Sequence, residues 1–330
     1  MKQFTNLLLK FSVVIVVVIA LYIVADPFKV VWHYNSYFEN GKSGIHVNRS
    51  IAGAANFNNK YREYKYNSYI FGNSRSLACQ VSEWQKHLPK AISAYHFDGA
   101  GESLYALNKK LALINRTRTP IKHALFFVDQ QLLRQSTPNK GHLFTVSPLI
   151  DPKCNTLSYH ATFLKAFLSY KFIFYYVEFK LSGKLKPYMV PTFYRPIRYN
   201  AVTNEMSSDI VENELANGTY YTSERISNFY KRDTIQTFFK SCLKGSQKEL
   251  LSEIASILKC NNTNYKIIIN PCYDQKKLST EDMHYLKTLF GDKNIFDFSG
   301  INSFTNNYQN YYETVHYRPH VANAILDSIY

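Results

Sequence analysis

The stretch Tyr66-Asn67-Ser68-Tyr69-Ile70-Phe71-Gly72-Asn73-Ser74-Arg75-Ser76 runs from a strand-forming apolar segment into a turn of small and polar residues. Over 76–88, Leu77, Val81, Trp84 and Leu88 fall on one helical stripe, so the whole reads as a β-turn-α unit. Working outward, residues 91–97 alternate as a second strand. The turn Asp98-Gly99-Ala100-Gly101 then opens a helix from 102 to about 115. Residues 121–128 form a continuous apolar run of the kind buried on both faces, ending at Asp129-Gln130. Strand, helix, strand, helix, strand predicts a parallel sheet with right-handed crossovers. Helix formers dominate 224–258, a strand over 265–270 stops at Pro271, and a helix is expected at 280–290. A last strand at 294–298 and a terminal helix over 319–329, with proline near its first turn, complete the pattern. The expected fold is a three-layer α/β/α domain with a roughly five-stranded parallel sheet.

That pattern covers residues 65–330 but is interrupted over 131–223. There aromatics interleave with lysines, most densely at 163–179 and again at 188–199 beside Pro187, Pro191 and Pro196. Lys165, Lys171 and Glu178 argue against a membrane span in this insertion. Its aromatics read as core packing or as a basic helix lying in a membrane interface. Residues 27–64 are rich in Asn, Tyr, Lys and Arg with little periodicity, and read as a tether and outer layer.

Residues 1–26 read as a membrane anchor. Apart from Ser12, residues 11–25 are apolar, with Lys2 and Lys10 before them and Asp26-Pro27 after. Counting back to Leu7 gives about 19 residues, near the ~20 that cross a bilayer, with Lys10 snorkelling to the cytoplasmic surface. The positive-inside rule then puts the rest of the chain outside, as a single-pass extracytoplasmic protein. A cleaved signal peptide has the same basic start, but Ile23-Val24-Ala25 is a poor cleavage site. The mass of the mature protein separates the two.

At 330 residues and 46% hydrophobic content the chain can bury a substantial core. Its 39 basic and 24 acidic side chains leave a net charge of +15, which favours an anionic partner such as lipid head groups or an acidic envelope polymer. Nucleic acid fits poorly, because zinc-finger spacing, RNP-like segments and long basic runs are missing. The five cysteines, Cys79, Cys154, Cys242, Cys260 and Cys272, contain no C-x-x-C pair. Buried free thiols are the preferred reading, with a Cys242–Cys260 disulfide as the alternative in an oxidising compartment.

The chemistry-bearing residues fall at strand ends. Ser74 follows the first expected strand, Gly99 and Gly101 the second, and Asp129 and Gln130 the third. Tyr312-Glu313-Thr314-Val315-His316-Tyr317 lies in a loop after the fifth. In a parallel α/β sheet these positions share one edge. A carboxylate three residues before a histidine can hold one imidazole nitrogen while the other faces a hydroxyl. The expected roles are Ser74 as nucleophile, His316 as base and Glu313 as its orienting acid. Backbone N–H groups at Ser74 and a turn glycine would bind the oxyanion. Arg75 either pairs with a carboxylate or grips an anionic substrate. His320 is a bystander, Asp297 a strand-end cap, and neither a metal nor a cofactor is called for.

Gly72-Asn73-Ser74-Arg75, Gly101 (or Gly99) and Glu313-Thr314-Val315-His316 resemble the first, second and last blocks of the SGNH/GDSL hydrolase superfamily. The similarity is to its membrane-anchored envelope branch, with O-acetyltransferase-like proteins and the D-alanine transfer protein of teichoic acid assembly. It covers roughly 65–128 and 265–330. It implies an SGNH/flavodoxin-like fold and a serine esterase or O-acyltransferase working through an acyl-serine on a cell-envelope polymer, with a membrane-bound acyl donor protein as partner. Two positions depart from the family pattern. The acid is Glu where the family has Asp, and the third-block oxyanion asparagine has no counterpart, Asp129 and Gln130 standing there instead; Gln130 or a water is then the expected donor. A catalytically degenerate scaffold of the envelope is the alternative implied by that loss. A phosphate-binding flavodoxin-like protein ranks last, for want of a glycine-rich loop after the first strand.

Overall fold

The structure is a computed structural model that describes residues 2–190 and 192–330. Pro191 of the insertion and the side chains of Leu7 and Leu8 of the expected anchor lie outside the described set. Five strands, β1 (Ser68–Gly72), β2 (Ala94–Asp98), β3 (His123–Val128), β4 (Asn264–Ile269) and β5 (Ile295–Asp297), form one parallel sheet in the order β5-β4-β3-β1-β2. Register aligns their carboxyl ends: Gly72 lies opposite Asp98 and Phe127, and Ile269 opposite Val128 and Asp297. The chain moves from β1 to one side for β2 and to the other for β3. The crevice above β1 and β3 is therefore the topological switch point, where α/β sheets bind ligands.

Alternation along the strands splits the core into two layers. On one face Tyr69, Phe71, Tyr95, Phe97, Phe126, Ile267 and Ile269 pack against four helices: α2 (Arg49–Tyr64), α3 (Leu104–Arg116), α7 (Gly245–Cys260) and α8 (Thr280–Phe290). On the other, Ile70, Leu125, Phe127 and Ile268 meet Trp84 and the apolar face of α9 (Pro319–Ile329). The remaining helices used below are α1 (Lys2–Ala25), α4 (Thr156–Phe167), α5 (Tyr170–Ser182) and α6 (Asp209–Ala216).

Several elements differ from expectation. The helix expected over 76–88 is a 3₁₀ turn, Ser74–Ala78, followed by a short helix, Val81–Gln85. Ser76 Oγ donates back to Asn73 O (2.8 Å), the side-chain competition with helical bonding that serine favours. Within 224–258, helix is confined to Ser223–Ser227 and α7. Thr237–Phe238 is extended and pairs with Lys276–Lys277. The outer layer over 27–64 contains α2, whose Ala54 and Phe57 are fully buried. Its inward face also carries Arg49, Ser50 and Asn56, so a buried helix surface reads as polar sequence.

Residues 1–26 are expected to hold a transmembrane anchor. α1 is continuous over 24 residues, but among the described residues no helix is long and apolar enough to cross a membrane. The expected span of about 19 residues begins at Leu7 and Leu8, whose side chains lie outside that set.

Candidate active site

Ser74 is placed by the end of β1. A Cβ on Gly72 would meet Phe127 O and Ser76 Cβ at 2.8 Å each, so only glycine lets the turn close against β3. Asn73 caps the turn, its Oδ1 accepting from Arg75 N (3.0 Å). Ser74 is the first residue of the turn, so its N–H has no acceptor within it and is free to serve as an oxyanion donor.

Beneath lies Asp129, 5% exposed at its side chain. Its Oδ2 accepts from Asn73 Nδ2 (2.7 Å), Arg75 (2.9 Å) and Asn270 Nδ2 (3.0 Å), and its Oδ1 from Leu132 N (3.0 Å). Burial pushes this carboxyl up, but the Arg75 charge and those hydrogen bonds outweigh it and hold Asp129 below the usual carboxylate range. One anion thereby ties together the ends of β1, β3 and β4.

The opposing loop is tied to the same hub. Arg75 Nε donates to Val315 O (2.9 Å) and Tyr317 OH to Asn270 Oδ1 (3.0 Å), while Tyr312 N donates to His316 O (2.9 Å). The insertion contributes Tyr220 OH to Tyr312 O (3.0 Å) and Tyr221 OH to Tyr311 O (2.7 Å). These bonds bring His316 Nε2 to 2.8 Å from Ser74 Oγ, across 242 residues of sequence.

His316 Nδ1 contacts Glu313 Oε1 directly. Glu313 also accepts from Val315 N (2.7 Å) and His316 N (3.1 Å). Burial raises its pKa, but the His316 contact and these two N–H groups prevail, and the carboxyl sits below its ordinary value. An ionised carboxylate only accepts, so Nδ1 carries the imidazole proton. Nε2 is left with its lone pair toward the Ser74 hydroxyl, the arrangement a general base requires. The extra methylene of Glu is absorbed because acid and histidine share one tight turn.

A cavity of about 320 Å³ opens beside this triad. Leu77, Ala78, Met206, Val211, Tyr220 and Tyr312 form much of its wall, with Ser207, Ser208 and Glu212 also lining it. Met206, Val211 and Glu212 belong to the insertion, which thus supplies one wall of the site.

The other expected residues lie elsewhere. Gly99 N donates to Gly72 O (3.2 Å) and its α-carbon faces Glu102 and Ser50. Gly101, at φ +52°, packs near Phe144 and its carbonyl accepts from Asn139 Nδ2 (2.7 Å). Neither glycine, nor Gln130, Asp129 or Arg75, lines the cavity at Ser74. Of the two alternatives for Arg75, its bonds to Asp129 and Val315 select carboxylate pairing. Asp297 accepts from Ser299 N (2.9 Å) as a local cap, and His320 Nε2 meets Asn310 Oδ1 (2.9 Å). All five cysteines are free. Among the described residues no group of three His, Cys, Asp or Glu side chains could hold a metal ion.

Sequence reading named Asn73 and Tyr317 within their motifs but missed Asn270 as part of the framework. The strand-edge rule applied to Asn270, the residue before Pro271, would have found it. Met206, Val211 and Glu212 carry no such signal. No protein-family model matches the chain, and comparison with curated proteins finds no match.

Proposed function

We propose that this protein is a serine esterase or O-acyltransferase that works through an acyl-serine intermediate. The observation that carries the reading is the linear relay Ser74 Oγ, His316 Nε2 at 2.8 Å, and Nδ1 on Glu313, open to a cavity. Ser74 Oγ attacks an ester carbonyl as His316 takes its proton, and the alcohol leaves with that proton, leaving the acyl group on Oγ. A water or a second hydroxyl, deprotonated by His316, completes the turnover. Ser74 N–H serves as oxyanion donor; Gly99 N–H is committed to Gly72 O, whereas Asn73 Nδ2 spends one of its two N–H groups on Asp129 and keeps the other as a second donor.

The cavity wall supports an apolar acyl group. The net charge of +15 supports an anionic envelope polymer as acceptor or substrate. The apolar residues exposed along α1 support a membrane-associated protein whose catalytic domain faces the extracytoplasmic side, where a membrane-bound acyl donor would meet it. The resemblance to SGNH hydrolases is part of the proposal, resting on the strand-end order of the three blocks.

A fluorophosphonate probe tests the mechanism. The expected result is a single adduct on Ser74 by peptide mass mapping, lost in His316→Ala. Labelling that persists in Ser74→Ala removes the mechanism. A second reading, an envelope scaffold of the same fold without turnover, draws on the commitment of the Gly99 N–H to Gly72 O. Absence of both labelling and ester turnover in correctly folded protein selects it.

A further inference from the structure

α5 has two apolar faces. Phe172 and Tyr176 turn inward, with Phe172 against Phe28 (ring centroids 4.8 Å), and Phe179 stacks near Phe193 (4.6 Å). On the other side Tyr170 (77% exposed), Ile173, Phe174 (61%), Val177 and Leu181 (84%) recur at helical spacing and line an open, almost wholly apolar groove. A stripe of that composition costs free energy in water and calls for a cover.

The chemistry around it identifies the cover. Residues 152–204 contain eight Lys and Arg, namely Lys153, Lys165, Lys171, Lys180, Lys184, Lys186, Arg195 and Arg198, against one acid, Glu178. Glu178 is itself neutralised by Lys186 (2.6 Å). Protein interfaces are depleted of lysine, whereas lysines flanking an apolar helix face suit anionic head groups, with their stems reaching along the apolar surface. The stripe is also continuous with α1. Tyr22 packs on Phe167 (5.7 Å) and Phe28 on Phe163 and Phe172, so α4 and α5 sit at the carboxyl end of α1. Along α1, toward that end, Val14, Val16, Val17, Leu21 and Val24 are exposed. Trp32, 55% exposed, donates its indole N–H to Ile23 O (2.7 Å) at this junction, as an interfacial aromatic would.

We infer that the outer face of α5 lies in the interfacial layer of an anionic lipid bilayer, forming with α1 a two-part seat that holds the domain at a set orientation. This is independent of the reaction proposed for Ser74.

The test uses full-length protein in vesicles of phosphatidylcholine and phosphatidylglycerol whose acyl chains are brominated. Phe174→Trp and Val177→Trp each add a reporter on the exposed stripe, over a background of buried Trp84 and junctional Trp32. The expected result is a blue-shifted added emission quenched by about half or more. Lys171→Gln with Lys180→Gln and Lys184→Gln is expected to lower that quenching several-fold at physiological salt. Added emission that is water-like and unquenched overturns the inference. Emission that is blue-shifted but unquenched also overturns it, since the stripe is then covered by protein. Ester turnover plays no part in this readout, so loss of the enzymatic reading leaves it standing.

Discussion

The turn after β1 carries two serines that each meet a histidine, and they behave differently. Ser74 faces His316 at 2.8 Å, with His316 and Glu313 side chains 38% and 43% exposed beside a cavity. Two residues on, Ser76 meets His96 Nε2 at 3.1 Å, and both are sealed at 0–1% exposure with Asp98 nearby. Ser76 already gives its proton to Asn73 O, so His96 Nε2 must donate to Ser76 and cannot act as its base. Burial drives the His96 pKa down to about 4 against the pull of Asp98, and the Asp98 carboxylate is taken by Arg49. Ser, His and acid in proximity are therefore not sufficient. The direction of the serine proton and access for a carbonyl separate the constellation proposed as reactive from the structural one.

The largest effect that breaks or sharpens this contrast is at the exposed pair. Ser74→Ala and His316→Ala are each expected to cut ester turnover by about 10⁶-fold. Ser76→Ala is expected to keep fluorophosphonate labelling and lose about 1–3 kcal/mol of stability, through the unpaired buried His96 N–H; the Asn73 carbonyl keeps its bond from the backbone N–H of residue 76 (3.0 Å). Equal loss of labelling in Ser74→Ala and Ser76→Ala erases the distinction. Glu313→Ala is expected to be milder, about 10³- to 10⁴-fold in kcat, because Ser74 and His316 remain in contact.

Next comes the hub under the turn. Asp129→Asn strands the Arg75 charge among buried groups and is expected to cost about 3–5 kcal/mol in denaturant unfolding. The folded carboxyl has the lower pKa, so its contribution is present above the unfolded value of about 4 and fades as pH falls through the folded one. Acid titration of stability below about pH 4 should be shallower in Asp129→Asn than in the parent. The smallest effect belongs to His96. Its folded pKa of about 4 lies below the unfolded ~6.5, so stability is full above that pH and falls as pH drops toward 4, by at most ~3 kcal/mol. His96→Gln, which keeps a donor toward Ser76, should flatten thermal stability across that interval. An unchanged slope means His96 takes up no proton there on unfolding.

Legibility was uneven for physical reasons. Strands buried on both faces, such as 121–128, announce themselves by continuous apolar sequence, and the tight turn at Gly72 announces itself by glycine. α2 was hidden because its buried face is satisfied by hydrogen bonds and ion pairs, such as Arg49 with Asp98, and not by apolar periodicity alone. The 3₁₀ turn at Ser74–Ala78 was hidden because serine side chains diverted a helical pattern. Glycines after β2 looked like oxyanion donors by order along the chain, yet one hydrogen bond to Gly72 O commits Gly99 to the turn itself.

By itself the chain determined what local pattern can encode: the alternation of strands and helices, the apolar helix at its start, and the candidate residues Ser74, Glu313 and His316. Only the tertiary structure decided which groups meet. Val315 O on Arg75, Asn270 under Tyr317 and the insertion's Val211 beside Ser74 join segments with no shared local pattern. Such contacts depend on strand order and on which buried polar groups find partners, and both are set by the packing of the whole chain.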